Sequence, residues 1–108
     1  MVPESLFPAI TATTACGPAF VCLFLEAYID AGIRVGLKAP LARELAIKNM
    51  EGALALLKGS DESPEEVRRR IQSPGGSTIR GVLAMEAGGM RSAIHTGVLA
   101  SYQASQPA

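Results

Sequence analysis

The sequence predicts an all-α domain, a bundle of about five to six helices. Three observations point there. Apolar residues recur at helical spacing through most of the chain. Strand-like alternation is never sustained, and β-branched residues do not cluster. Proline, glycine and serine stand where helices start and stop rather than inside them.

The first segment, from Glu4 to about residue 14, reads as a short helix ending near Ala15. Pro3 and Pro8 suit helix starts, whereas the threonine run lowers propensity. Gly17-Pro18 then opens a long helix to about Val35, with the proline in the first turn. Phe20, Val21, Leu23, Phe24, Leu25, Ala27, Tyr28 and Ile29 cover most of its circumference, and only Glu26, Asp30 and Arg34 form a polar stripe. So apolar a helix must be enclosed on nearly all sides. In a chain of 108 residues that enclosure calls for a second subunit.

Residues 36–39 form a turn, and Pro40 starts a helix that continues to Lys58. Leu41, Leu45, Ala46, Met50, Ala53, Leu54 and Leu57 mark its apolar face, with Gly59 as a left-handed terminator. Ser63-Pro64-Glu65-Glu66 encodes a capping box and a short helix to Ile71. Ser73-Pro74-Gly75-Gly76-Ser77-Thr78 is a loop that leads into a helix over residues 78–87. Gly88-Gly89 breaks the chain before a last helix over residues 90–105. Ala93, Ile94, Val98, Leu99 and Tyr102 mark the inner face of that helix, and residues 106–108 are a tail.

Composition excludes several function classes. Apolar residues make up 48% of the chain, too many for disorder. Ten basic and ten acidic residues cancel, leaving no electrostatic footprint for nucleic acid or an anionic membrane. No secretory signal is visible. The longest apolar stretch, residues 15–25, is too short to span a bilayer, so the expectation is a cytoplasmic protein. Cys16 and Cys22 are the only cysteines; they read as two buried or half-buried thiols in a reducing compartment, against a redox or metal role. No metal-ligand spacing, catalytic triad order or Walker loop is present. His95, the sole histidine, has no acid or nucleophile assigned to it by spacing, and no catalytic residue can be named.

The loop over residues 73–78 is the main functional candidate. Its glycines let backbone approach a ligand, and the helix that follows offers free N–H groups and the positive end of its dipole to an anion. Ser73, Ser77 and Thr78 add hydroxyls suited to a small carboxylate or phosphate. The alternative is a tight turn with Ser77 as a helix cap. Thr14, Cys16 and Gly17 stand at a second helix start, with the same pair of readings.

Two motifs carry a family resemblance. Thr11-Ala12-Thr13-Thr14-Ala15-Cys16-Gly17-Pro18-Ala19-Phe20 is similar to the T-A-L-S-G-S-G-P-A-Y segment of pyrroline-5-carboxylate reductases. Ile71-Gln72-Ser73-Pro74-Gly75-Gly76-Ser77-Thr78-Ile79-Arg80-Gly81-Val82 resembles that family's V-T-S-P-G-G-x-T-I-x-G-L signature. Met85-Glu86 and Gly88-Gly89-Met90-Arg91 continue in the same manner. The resemblance covers residues 4–102 and implies the C-terminal dimerisation and substrate domain, interlocked with a two-fold mate and, in many members, assembled into larger rings.

It also implies NAD(P)H-dependent reduction of 1-pyrroline-5-carboxylate to L-proline. By match, Ser73, Gly75, Gly76, Ser77 and Thr78 would hold the carboxylate of the imino acid, at a site shared between two chains. A Rossmann domain accompanies this domain in the family. No Gly-x-Gly-x-x-Gly fingerprint appears here, so residues 1–108 are expected to form one domain that binds no dinucleotide and has no reductase activity alone. The sequence departs from the family at Thr14-Ala15-Cys16, where S-G-S is usual, and at Gln72. These departures keep open a reductase of another cyclic imino acid and a non-catalytic dimerisation module.

Overall fold

A computed structural model describes residues 2–72 and 75–107. Helices account for nearly all of them, and no strand occurs among the described residues. The helices are α1 (Phe7–Ile10), α2 (Gly17–Arg34), α3 (Ala39–Lys58), α4 (Pro64–Ile71), α5 (Ser77–Ala87) and α6 (Met90–Ser105). A 3-10 turn, Glu4–Leu6, precedes α1, and a π-helical turn, Thr11–Ala15, joins α1 to α2. The chain divides into two compact units, one drawn from Met1–Leu23 with Met85–Ala108, the other from Phe24–Ala84.

In the first unit, α6 packs against α1 and the π turn. Ala12, with no side chain beyond its methyl group, is completely buried there. The π turn replaces the break expected near Ala15. Its cause is local. The Thr13 hydroxyl donates to the carbonyl of Ala9 at 2.9 Å, competing for an acceptor that the helix would otherwise use. The Cys16 N–H reaches back five residues to the Thr11 carbonyl at 3.0 Å. In an uninterrupted α-helix the Pro18 ring would collide with the carbonyl four residues before it, that of Thr14. The wider turn relieves that collision.

Helical structure therefore runs over Glu4–Arg34, and an 18-residue window within it reaches a mean hydropathy of 1.6. By length and composition this run is apolar enough to cross a bilayer, a test that the core helix of a soluble protein passes equally, and residues 15–25 remain its longest uninterrupted apolar stretch.

In the second unit, α2 and α3 form a hairpin held by small residues. A Cβ placed on Gly32 would lie 3.3 Å from the Cβ of Ala42, so the glycine sets how closely the two helices meet. Ala42 and Ala46, one turn apart, are buried; Ala46 belongs to the expected apolar face, whereas Leu41, Leu45 and Leu54 of that face are exposed. Asn49 Nδ2 donates to the Tyr28 hydroxyl at 3.1 Å across the same pair. Gly36, at φ 113°, ends α2. The N–H of Gly36 bonds the Ile33 carbonyl and that of Leu37 bonds the Gly32 carbonyl, each at 3.0 Å, which is a Schellman closure.

Gly59 is not left-handed as expected: its φ is −83° and ψ 0°. The end of α3 is closed instead by the Gly59 N–H on the Ala55 carbonyl and the Ser60 hydroxyl on the Leu56 carbonyl. Those bonds satisfy the terminal acceptors without a chain reversal. The capping box of α4 forms as read, with Glu66 N–H to Ser63 Oγ at 3.1 Å and Ser63 N–H to Glu66 Oε1 at 3.0 Å. Val67 is buried in this helix, which packs on α3. Gly89, at φ 85°, begins α6, and Arg91 Nε donates to both carboxylate oxygens of Glu86 across that turn.

Ala12, Ala42, Ala46 and Val67 are the only buried apolar residues among those described. Leu23 on α2 is 65% exposed, Leu83 on α5 62% and Ile94 on α6 54%. α2 has no buried residue at all. Apolar exposure on this scale marks surface that another chain covers.

Removing the Ser63 cap with Ser63→Ala should cost about 1 kcal/mol of stability, measurable as a lower urea midpoint. A second expectation concerns Glu62. Its carboxyl is held below the usual carboxylate range mainly by the hydrogen bond from the Arg70 guanidinium. A lowered folded value means that the pair stabilises the fold above the ordinary value of 4.5 and that the benefit disappears as pH falls through the lowered one. The difference in Tm between wild type and Glu62→Gln should be small near neutrality, because both groups face solvent, and should close on acidification below that range.

Candidate functional site

α4 stops at Ile71 because Gln72 is extended, with φ −78° and ψ 126°. Gln72 turns back on its own helix: its N–H bonds the Arg68 carbonyl at 3.0 Å and its Oε1 accepts from Arg68 Nη1 at 3.2 Å. Both groups are thereby committed to α4. Ser73, a candidate ligand of the loop, lies with Pro74 outside the described residues.

Gly75 has φ 68°, a conformation that residues with a Cβ seldom adopt. Among the described residues nothing lies within 4 Å of a Cβ built there, so the requirement for glycine rests on the backbone conformation. Gly76 is half-buried, and α5 begins at Ser77, one residue earlier than the sequence suggested. The first hydrogen bond into the helix runs from the Arg80 N–H to the Gly76 carbonyl at 3.4 Å. Among the described residues, nothing accepts from the N–H groups of Ser77, Thr78 or Ile79. The side chains of Ser77 and Thr78 are exposed beside them. Three amide donors, two hydroxyls and the positive end of an 11-residue helix thus converge on the loop. This is the chemistry of a small-anion cradle. Ser77 does not act as the cap in front of the helix, since it is already inside it.

Arg80, in the first turn of α5, was not singled out from the sequence. It is exposed, and its side chain makes no hydrogen bond or ion pair among the described residues. A cation is electrostatically disfavoured at a helix N-terminus, so a basic residue three positions after Ser77 was the available signal. Its charge adds to the attraction of the loop for an anion.

The second candidate segment differs from its sequence reading. Thr14 lies in the π turn, and Cys16 and Gly17 continue the helical run rather than forming a loop. Pro18 has no N–H, and those of Ala19 and Phe20 both donate to the Cys16 carbonyl, at 3.1 and 3.3 Å. Of the first donors of α2, only that of Gly17 remains among the described residues. This junction is therefore a much poorer anion site than the start of α5. The Cys16 thiol is half-buried and that of Cys22 is exposed, contrary to the expectation of two sheltered thiols; both are free. His95 is exposed on α6. No three His, Cys, Asp or Glu side chains gather to share a metal among the described residues.

The features above describe a helical association domain, rich in unburied apolar surface, with a helix start whose first amides have no acceptor among the described residues. Residues 4–107 match the family described as pyrroline-5-carboxylate reductase dimerisation, and the chain belongs to that family. It is 42% identical over 105 residues to the pyrroline-5-carboxylate reductase of Synechocystis, covering 97% of this chain and 39% of that protein. It is 41% identical over 105 residues to the enzyme of Treponema pallidum, covering 97% and 40%. The crystal structure of Plasmodium falciparum pyrroline carboxylate reductase with NADP bound superposes with a TM-score of 0.93 at 33% identity, over 96% of this chain and 42% of that one. The 1-pyrroline-5-carboxylate reductase of Streptococcus pyogenes gives 0.94 at 28% identity, over 97% and 40%. The chain thus spans well under half the length of the relatives it matches.

Gly75→Ala should lower stability by about 1–2 kcal/mol through left-handed strain alone, without a steric clash. Gly75→Asn should recover part of that loss, because asparagine tolerates the conformation. Thermal unfolding of the two variants side by side checks the assignment.

Proposed function

We propose that this chain is the C-terminal dimerisation and substrate-carboxylate domain of a pyrroline-5-carboxylate reductase, the enzyme that reduces 1-pyrroline-5-carboxylate to L-proline with NAD(P)H. The observation that carries the proposal is the start of α5. There, a motif matching the family signature sets free amides beside Ser77 and Thr78, at a glycine whose φ is 68°. In this reading, residues 1–108 are one domain of the reductase. Ser73, Gly75, Gly76, Ser77 and Thr78 grip the carboxylate of the imino acid and so fix the orientation of its ring. Thr14, Cys16 and Gly17 contribute at most the Gly17 amide.

The dinucleotide is not held by these residues. No strand occurs among those described and the Gly-x-Gly-x-x-Gly fingerprint is missing from the sequence, which supports a dinucleotide site outside these residues. A Rossmann domain elsewhere in the protein, or on another chain, supplies the hydride donor. The assembly we propose is a homodimer, interlocked through the apolar faces of α2, α5 and α6, from which larger rings are built. A second copy, rather than lipid or nucleic acid, is the partner that accounts for the exposed Leu23 and Ile94, and the setting is the cytoplasm.

Two experiments test this reading. Calorimetry with L-proline or a ring carboxylate analogue should show binding that Thr78→Ala weakens about tenfold, the loss of roughly one hydrogen bond to a charged group; unaltered binding would refute the carboxylate site. Light scattering should find a dimer that Leu23→Asp drives towards monomer. A well-folded monomeric wild type would end the dimer proposal.

A further inference from the structure

We infer that His95 makes the association of two copies sensitive to pH, the dimer weakening on mild acidification. This rests on the homodimer reading above. Between the π turn and α6 lies a concavity of about 360 Å³. Ala9, Ala12, Val98 and Leu99 are among its lining, and His95 opens into it. Its other polar groups are already engaged. The Thr13 hydroxyl is bonded to the Ala9 carbonyl at 2.9 Å, and the Tyr102 hydroxyl accepts from Gln106 Nε2 at 3.1 Å. His95 is the one side chain lining the groove that changes charge near neutrality.

The occupant is a second copy of this chain. Both walls of the groove fall inside the 4–107 match to a dimerisation family. Ile94 is 54% exposed and Leu99 53%, so the α6 wall of the groove carries apolar side chains left largely uncovered among the described residues. A concavity lined in this way accepts an apolar helix face, of the kind that α2 and α5 present.

The electrostatic surroundings then decide which form of His95 tolerates closure. Between Phe7 and Ala15, α1 and the π turn carry no charged side chain. Along α6 the sole other ionisable charge is Arg91, one turn before His95 and like it a cation when protonated. The Glu86 carboxylate is already bonded to Arg91, and Glu4 belongs to the 3-10 turn ahead of α1. No acid from the packed elements is therefore placed to pair with an imidazolium. When an apolar partner face displaces water from the groove, neutral His95 is readily accommodated, while protonated His95 loses hydration and gains no counter-ion from its own chain. Protons thus compete with the second subunit.

The test is the dimer dissociation constant of the 108-residue chain at pH 7.5 and 5.5, by sedimentation equilibrium. Carboxylates and thiols barely titrate in this window. Exclusion of the cation from the closed groove is expected to weaken association by about tenfold or more between the two pH values. His95→Leu is expected to abolish that pH dependence and to tighten the dimer. His95→Gln, polar but unable to titrate, should abolish it as well, and serves if the leucine variant misfolds. A wild-type dissociation constant equal at the two pH values would overturn the inference, and would mean that the groove is covered by something other than a second copy. So would a pH dependence retained in either variant. A wild-type chain that is monomeric at pH 7.5 sinks the homodimer reading itself, which separates the two failures.

Discussion

Burial of apolar helix surface is the constraint on which the rest of this structure depends. The chain folds its backbone almost entirely into helices, yet the residues it hides are mostly alanines. Alanine at 12, 42 and 46 permits close approach but contributes little transfer free energy, since each removes only a methyl group from water. The large side chains, Leu23, Leu83, Ile94 and Leu99 among them, stay outside. Such a chain gains shape from its own contacts and must gain most of its hydrophobic stabilisation from another molecule. Membership of a dimerisation family gives that constraint its natural resolution.

The approach to α5 follows from the same economy of local devices. α4 is held by a reciprocal cap at its start and released by an extended Gln72 at its end. The chain then needs only a left-handed glycine to turn into α5. Among the described residues, no group accepts from the first amides of α5. The departure at Gln72 from the family pattern acquires a structural account, because its amide oxygen and backbone N–H both serve α4. The Cys16 departure does so in part: its carbonyl caps α2, a role that any residue could fill.

Much of this was legible in the sequence, and the reasons differ by residue. The Ser63–Glu66 box, Pro40 and Gly89 declare themselves because capping and φ preferences act within a few residues. The Pro74–Thr78 motif was legible through family likeness and through the physics of a helix start. The π turn was not. Gly17-Pro18 reads as a helix opening, and whether the preceding helix stops or widens depends on which donors reach the carbonyls of Ala9 and Thr11. Gly59 misled for a related reason: Ser60 supplies a bond that glycine usually makes unnecessary only by reversing the chain. Choosing alanines rather than leucines as the α3 contact required knowing how near Gly32 brings α2.

The π turn has a bearing on how the helical run over Glu4–Arg34 is read. Its extra residue resets the angular phase, so faces counted forward from Phe7 no longer coincide with faces counted backward from Arg34. A helical wheel drawn straight through the run mixes two different sides of the molecule. The insertion also works as a spacer. Deleting one residue between 11 and 15 would restore uniform winding, but it would also set the pyrrolidine ring against a carbonyl once more.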